Sequence, residues 1–344
     1  MKKERLLFVD GLRGVAACMV MLYHLGNRTG LHPASRYGYL GVGIFFVLSG
    51  FVIAGTLVDR DIDGALFARF MARRFVRLDI PYWANIVVTI LLGAVLYRIG
   101  GQVHHYSAGQ IAASMFYAQG FLGMREINAV YWTLCLEVQF YLALIGVLWL
   151  GRLVRSGPSL ILFQLAMIGS ILASVLVNAG FLHGPRGTMF SFWWAFALGA
   201  MICWWRAGRV GNRTLAAALI VVMLFPLSGL EPWRITSALT AAALIAATLS
   251  NSMGSWLSGR VAQFLGRISY SLYLFHALVG WEVQTLALRY VGQYEALAVG
   301  IGASIISAWV VYRLIERPAI ALSHHIRLSG RPMIPAESPV IVPS

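Results

Sequence analysis

The sequence predicts an all-α polytopic integral membrane protein, with about ten transmembrane helices and both termini in the cytoplasm. Two features of its composition predict this class. Of the 344 residues, 59% are apolar and only 12% are charged, and the mean hydropathy is +0.74. Soluble domains have about 45–50% apolar and about 25% charged residues. The composition therefore excludes a soluble enzyme, a disordered chain and a coiled coil.

The excess of positive charge fits the same class. The net charge is +14, which in a soluble protein would favour nucleic-acid binding. In a membrane protein, cationic loops set the orientation of the helices. We therefore expect the lipid bilayer, and no nucleic acid, as the partner of these charges.

Ten apolar segments are long enough to cross a bilayer, which takes about 20 helical residues. In chain order they are 6–26, 39–58, 78–99, 129–150, 159–178, 188–206, 214–230, 235–253, 264–284 and 294–314. One further segment, 110–123, is apolar but short. Its sequence is compatible with a re-entrant helix, an interfacial helix or an eleventh span.

The distribution of cations favours ten spans over eleven. With ten, the connections on the side of the two termini carry 19 of the 27 Lys and Arg residues, and the opposite connections carry 7. The positive-inside rule then places both termini in the cytoplasm. An extra span at 110–123 would invert everything after it. We assign residues 1–320 to one transmembrane domain and expect 321–344, which is rich in Pro and Ser, to be a poorly ordered cytoplasmic tail.

Cysteine and tryptophan residues are predicted to be structural. The three cysteines lie in apolar stretches without a CxxC pair, so we expect buried thiols, no disulfide and no metal site. The first apolar segment lacks a clean cleavage site and is expected to be a retained helix. Four indoles are predicted to anchor at the membrane interface: Trp193, Trp194, Trp204 and Trp205.

The first span carries polar residues that are costly in a membrane, at about 2.5–3.5 kcal/mol for each charge at the bilayer centre. Arg13 and His24 are eleven residues apart, which puts them within about 20° of the same helix face and about 16.5 Å apart along the axis. Asp10 lies on the same stripe. One interpretation is an Asp10–Arg13 pair near the interface with His24 capping the outer end. The other is a functional face, since imidazole suits general base catalysis near neutral pH.

Six segments between residues 6 and 318 carry a family resemblance: LLFVDGLRGVAACMVMLYH, GVGIFFVLSGFVI, RRFVRLDIPYW, YWTLCLEVQFYL, LGRISYSLYLFH and YRLIERP. In this order they resemble the acyltransferase 3 family of integral membrane O-acyltransferases. Arg13 and His24 match its Arg and His separated by ten residues, and Arg74 and Arg77 match its RxxR loop. Glu137 matches its main acid.

Three positions depart from the family pattern. Val138 stands where many members have a second Glu. Asp79 and Ile80 are unusual at the places they occupy after the RxxR loop.

The resemblance implies a multi-pass enzyme of the bacterial inner membrane. Such an enzyme moves an acyl group, usually acetyl from acetyl-CoA, to a hydroxyl of a carbohydrate, glycolipid or related acceptor. It implies acyl-CoA as a donor substrate and no permanently bound cofactor. Whether the protein forms a homo-oligomer in the membrane is left open.

The resemblance also assigns roles to residues. His24 is expected to act as the general base or as a transient acyl carrier. Glu137, at a comparable depth, is expected to orient the imidazole, with a structural ion pair as the alternative. Arg74 and Arg77, at the cytoplasmic mouth of the third span, are expected to hold the phosphates of coenzyme A, with ordinary positive-inside charge as the alternative.

Four further residues receive roles in binding. Arg13 is expected to guide the donor deeper in the membrane. Ser49, Tyr273 and His276 are expected to contact substrate, with helix packing as the alternative.

Two other classes share the composition. A transporter or flippase of a lipid-linked glycan would also have ten or more spans and buried charges, and it would be favoured by inverted repeats or paired broken helices. A non-catalytic assembly factor is disfavoured by the polar stripe of the first span.

Overall fold

The computed structural model describes residues 6–27, 35–58, 60, 62–98, 106–152, 158–185, 187–224 and 232–328, and none of these residues forms a β-strand. The first five helices are α1 (Leu7–Gly26), α2 (Gly41–Leu57), α3 (Gly64–Arg98), α4 (Ala108–Met115) and α5 (Tyr131–Arg152). The next four are α6 (Pro158–Asn178), α7 (Trp193–Arg206), α8 (Asn212–Leu224) and α9 (Pro232–Leu249). Short 3-10 turns precede α2 at Gly38–Leu40 and α7 at Met189–Phe192.

Each of the last two helical segments consists of two α-helices joined by a π-helical turn. Helix α10 (Arg260–Phe275) continues through a π-helical turn, His276–Gly280, into α11 (Trp281–Ala287). Helix α12 (Gln293–Val311) continues through a second π-helical turn, Tyr312–Glu316, into α13 (Arg317–His325).

The predicted all-α membrane class is confirmed. Among the residues that the structure describes, five helical segments are long and apolar enough to cross a membrane: Leu7–Gly26, Gly38–Leu57, Gly64–Val95, Tyr131–Trp149 and Gln293–His325. Two shorter helices, Leu162–Asn178 and Asn212–Met223, are also apolar. Each of the ten predicted spans overlaps a helix, while the number of crossings stays a prediction.

The third helix begins earlier than expected. The prediction was 78–99, whereas α3 begins at Gly64 and contains Pro81 in its interior. The charges before residue 78 interrupt the apolar pattern, but arginine is a good helix former and continues the helix. Arg74 and Arg77 therefore lie within the helix rather than in a loop that leads into it.

The segment 110–123 is no membrane span. Its helix, α4, has eight residues and is therefore about 12 Å long, against about 30 Å for a bilayer core. It packs beside α3, where Tyr82 donates to Ser114 O (2.8 Å) and Trp83 donates to Met115 O (3.2 Å).

The chain remains helical past the predicted domain boundary at residue 320. Helix α13 continues to His325 and packs against α3. Residues 321–325 therefore belong to the helical body. The rest of the predicted tail, residues 329–344, lies outside the described residues.

Glycine lets the site helices approach closely, as in other membrane bundles. The two most extensive helix–helix interfaces are α1 with α10 and α2 with α7. A Cβ on Gly50 would collide with the carbonyl oxygen of Phe196, and one on Gly266 would collide with that of Asp10. The crossing of α1 and α10 brings the polar face of α1 against α10. The crossing of α2 and α7 fixes α2 beside α7.

The prediction of an interfacial tryptophan cluster is wrong for three of the four indoles. Trp193, Trp194 and Trp204 are at most 5% exposed, because α7 packs against α2, α6, α8 and α9. The indole N–H groups of two of them find partners inside the protein: Trp193 donates to Ser170 Oγ at 2.9 Å and Trp194 to Ser191 O at 3.1 Å.

Candidate active site

Two cavities lie between the helices. The first, called here the arginine cavity, encloses about 750 Å³, counting space open to solvent. Its polar lining comprises Arg13, Ser49, Arg74, Arg77, Thr133, Glu137, Tyr141, Ser269, Tyr270 and Tyr273. Helices α1, α2, α3, α5 and α10 supply these side chains. Six of the eight residues that the sequence proposed for the site therefore come together here.

Three guanidinium groups converge on the arginine cavity, where the nearby carboxylates of Glu137 and Glu316 attract them without forming a direct ion pair in the described residues. Arg13, Arg74 and Arg77 make no hydrogen bond or ion pair within the part of the chain that the structure describes. Arg74 lies 5.4 Å from the ring centroids of both Phe70 and Tyr141, a cation–π arrangement. Like charges in one cavity repel. An anion with several oxygens would relieve this repulsion and accept the unused N–H groups.

Glu137 belongs to the arginine cavity. Its Oε1 accepts hydrogen bonds from Ser49 Oγ at 2.7 Å and from Tyr141 Oη at 2.5 Å. No contact joins Glu137 to His24 in the described residues, so the geometry gives no support to the expectation that this carboxylate orients the imidazole. Ser49 is occupied by the same bond, which ties α2 to α5.

The second cavity, called here the histidine cavity, encloses about 590 Å³ on the same measure. Its lining includes His24 and a set of aromatic side chains: Tyr23, Tyr39, Trp132, Trp233 and Tyr273. Neighbouring rings pack against each other: the ring centroids of Tyr23 and Tyr39 are 5.5 Å apart, and those of Tyr39 and Trp233 are 5.1 Å apart.

The start of α5 holds one wall of the histidine cavity. Glu126, in the loop before the helix, accepts the backbone N–H of Trp132 at 3.0 Å and so satisfies a free donor of the first turn. Burial raises the pKa of Glu126 to about 7.

His24 is paired with a second histidine. Its Nδ1 lies 2.8 Å from Nε2 of His276, and Nδ1 of His276 lies 2.9 Å from the carbonyl oxygen of Leu272. His276 is 0% exposed and lines neither cavity. It therefore stands behind His24, where the predicted substrate contact is not available to it.

Tyr273 and Val42 line both cavities. The phenol ring packs edge-on against Phe45, with centroids 5.5 Å apart. The two cavities thus meet at the Tyr273–Val42 junction, and the arginines and His24 lie on opposite sides of it.

Comparisons with known proteins identify the family of this chain. A family model described as an acyltransferase domain, that of the acyltransferase 3 family, matches residues 6–313. The chain belongs to the acyltransferase 3 family. It is accordingly an acyltransferase that acts on hydroxyl groups and a multi-pass membrane protein. No solved structure matches the chain significantly.

Several members of the acyltransferase 3 family are similar over most of the chain. The exopolysaccharide production protein ExoZ of Rhizobium meliloti is 28% identical, with 87% of this chain and 94% of that protein covered. Nodulation protein 10 of Rhizobium leguminosarum is 27% identical, with coverage of 91% and 93%. The peptidoglycan O-acetyltransferase OatA of Listeria monocytogenes is 23% identical over 90% of this chain, which spans 55% of the length of that protein.

Several side chains at this site were not predicted from the sequence. Thr133 and Tyr141 lie in a family segment, YWTLCLEVQFYL, and their polarity inside an apolar span was an available signal. Tyr39 and Trp233 are ordinary aromatic residues near the ends of apolar stretches, which gives no sequence signal for a cavity wall. Glu316, in YRLIERP, is buried and accepts a hydrogen bond from Ser271 Oγ at 2.5 Å.

Proposed function

We propose that this acyltransferase moves an acyl group, most simply acetyl, from acyl-CoA to a hydroxyl of a carbohydrate or related acceptor. One observation carries the proposal. A cavity with three arginines that form no direct ion pair in the described residues meets a cavity that contains a histidine and several aromatic rings, at the Tyr273–Val42 junction. Donor and acceptor can therefore enter from opposite sides, and their reacting atoms meet at the junction.

The charge of the arginine cavity supports coenzyme A as the donor carrier. Coenzyme A carries several phosphate oxygens, and planar guanidinium groups bind such oxygens through pairs of hydrogen bonds. Arg74 and Arg77 are three residues apart and are neighbours on one face of α3. Arg13 approaches from α1. A single phosphate group can contact side chains of both helices.

The aromatic lining of the histidine cavity supports a sugar as the acceptor. Aromatic rings offer apolar faces, while Tyr hydroxyl and Trp N–H groups supply polar handles for a molecule with both C–H and O–H surfaces. The relatives agree in kind, since one is named for exopolysaccharide production and another for O-acetylation of peptidoglycan.

The reaction is a transfer from sulfur to oxygen. The imidazole of His24 removes the proton of the acceptor hydroxyl as its oxygen attacks the thioester carbonyl. The carbon–sulfur bond then breaks, and the proton passes to the thiolate, so that the products are the ester and free coenzyme A. A route through an acyl-histidine has the same overall balance.

Ten spans with both termini in the cytoplasm complete the proposal, with the bacterial inner membrane as the location. Coenzyme A is then supplied from the cytoplasm. The cationic side of the chain, which faces that compartment, includes the first half of α3.

The test compares wild type, His24→Ala and the control His183→Ala, an exposed loop histidine, in a strain that lacks the gene. Mass spectrometry measures acetyl esters on surface glycans, and immunoblotting measures the protein in the membrane. We expect wild type and His183→Ala to restore the esters, and His24→Ala to reduce them by about 10²–10⁴-fold at equal protein. Normal esterification by His24→Ala would remove this residue from the mechanism. Glycan export that depends on the protein without any change in esters would favour a flippase.

A further inference from the structure

The hydrogen bonds around His276 determine which of its ring nitrogens carries a proton. A carbonyl oxygen only accepts hydrogen bonds. Since Nδ1 of His276 lies 2.9 Å from the carbonyl oxygen of Leu272, this nitrogen must be the donor. His276 is 0% exposed, and its hydrogen-bond partners in the described residues are this carbonyl and His24. A buried cation without a carboxylate partner is costly. His276 is therefore neutral, and its Nε2 carries a lone pair.

The same reasoning extends to His24. Its Nδ1 lies 2.8 Å from the lone pair on Nε2 of His276, and the two rings are inclined by only 14°. A hydrogen bond between two nitrogens needs one proton, and His276 has none to give at this position. His24 must therefore carry its proton on Nδ1 and leave its own Nε2 bare.

We infer that His276 is a positioning residue that fixes His24 in the Nδ1–H tautomer, so that Nε2 of His24 is the atom that accepts the proton of the acceptor hydroxyl. This inference rests on the proposed function for the step that it serves. In the Ser-His-Asp arrangement a carboxylate plays the orienting part. Here a neutral imidazole plays it, which avoids a second buried charge beside His24 at membrane depth.

The proton balance of the step follows from the tautomer. As the acceptor oxygen bonds to the thioester carbon, its proton moves to Nε2 of His24. The resulting imidazolium keeps its Nδ1–H bond to His276, and this bond strengthens because its donor is now charged. When the carbon–sulfur bond breaks, Nε2 returns the proton to sulfur. His24 is then again neutral with its proton on Nδ1.

The tautomer can be measured directly in the resting protein. Histidine labelled with ¹⁵N distinguishes protonated from bare ring nitrogens in solid-state NMR spectra of the protein in lipid bilayers, and the spectrum of His24→Ala identifies the His24 signals. We expect a protonated Nδ1 and a bare Nε2 on His24. A protonated Nε2 with a bare Nδ1 overturns the inference. This reading needs no donor and no turnover, so it stands apart from the proposed function.

Two variants of His276 test the consequence for catalysis. His276→Phe keeps a planar ring but has no acceptor. His276→Gln can donate its amide N–H to Leu272 while Oε1 accepts from His24. We expect the Phe variant to lower kcat by roughly 10–150-fold, the range for loss of a hydrogen bond to a charged group, with the KM for acetyl-CoA unchanged. The Gln variant should stay within about tenfold of wild type, because it keeps an acceptor.

A purely structural role for His276 gives a different pattern. The Gln variant would then be as slow as the Phe variant, or the Phe variant would match wild type, and either result overturns the inference. Binding of acetyl-CoA to each purified variant shows that the arginine cavity is intact. If the Phe variant does not accumulate in the membrane, the tautomer of His24 measured in the wild-type protein tests the inference. Absence of acetyl transfer by wild type would contradict the proposed function and leave the tautomer measurement valid.

Discussion

The hydroxyl of Tyr273 lies 2.7 Å from Oγ1 of Thr133. Val130 O accepts from this pair of hydroxyls, since it lies 3.0 Å from Oγ1 of Thr133 and 3.4 Å from the hydroxyl of Tyr273. Both residues line the arginine cavity, and Tyr273 also lines the histidine cavity. These hydrogen bonds therefore fix an aromatic ring at the junction of the two cavities, which the acyl group passes in the proposed reaction.

The first prediction is that Tyr273 limits the length of the acyl chain. Replacing Tyr273 with Ala removes the ring from the Tyr273–Val42 junction and creates space beside the thioester. We expect the ratio of kcat/KM for butyryl-CoA over acetyl-CoA to rise by about tenfold or more, since one methylene in an apolar pocket changes this ratio by about 10–200-fold. The measurement is release of coenzyme A from each donor by purified protein with acceptor glycan.

Tyr273→Phe serves as the matched control for chain length. It keeps the ring and loses only the hydroxyl with its hydrogen bonds to Thr133 and Val130 O, so it should retain the preference for acetyl. An unchanged preference in Tyr273→Ala would show that the acyl group does not pass this ring.

The second prediction concerns the crossing of α2 and α7. At Gly50 a Cβ would collide with the backbone of α7, which cannot move as a flexible side chain would. We expect Gly50→Ala to cost about 1–3 kcal/mol of stability, as overpacking does in close-packed interiors. Gly93→Ala is the control, because no atom lies within 4 Å of a Cβ at that position. Thermal unfolding in detergent should show a lower Tm for Gly50→Ala only, and equal values for both variants would contradict the packing argument.

The helices were predictable from the sequence because a helix that lies in lipid has a continuous apolar sequence. The face of α1 that carries Arg13 and His24 was also predictable, since helical periodicity fixes which residues share a side. The side-chain contacts between different helices were not predictable from the sequence. His24 contacts His276 across 252 positions, and Ser49 contacts Glu137 across 88. Periodicity gives the direction of a side chain from its own axis but not the helix that it faces.

The same limit applies to the expected role of Glu137. Its depth in the membrane was compatible with an orienting bond to His24, but depth does not specify rotation about the bundle. The partner of His24 comes instead from the π-helical turn that follows α10, and α10 itself packs along α1 through Gly14 and Gly266. The early start of α3 was hidden for another reason, since its arginines interrupt the apolar pattern without interrupting the helix.

The third prediction is the topology. Reporter fusions after residues 30, 103, 184 and 290 should report the outer side, and fusions after 65, 155, 210 and 325 should report the cytoplasm. The physical reason is the bias of Lys and Arg toward one set of connections. The eight-residue length of α4 agrees, because it leaves no crossing between residues 108 and 123. A change of side that begins after residue 123 would contradict this arrangement.

The last prediction separates a donor site from orienting charge. If Arg74 and Arg77 bind the phosphates of coenzyme A, then Arg74→Ala or Arg77→Ala should raise the apparent Kd for acetyl-CoA by roughly 10–150-fold, the range for one charge-assisted hydrogen bond. Arg74→Lys should restore this affinity only in part, because it keeps the charge and loses the planar fork. The measurement is binding of acetyl-CoA to purified protein in nanodiscs.

Arg69→Ala is the matched control for donor binding. Arg69 lies on the same helix, is half-buried and lines neither cavity, so its loss should leave the affinity for acetyl-CoA unchanged. Added salt should weaken donor binding in wild type more than in Arg74→Ala, because the variant has one fewer charge for salt to screen. Equal binding by wild type and the Arg74→Ala, Arg77→Ala double variant would move the donor site away from these arginines. Equal losses of affinity for acetyl-CoA in Arg69→Ala and Arg74→Ala would indicate that only the total positive charge matters. The location of Arg74 in the arginine cavity would then make no difference to binding.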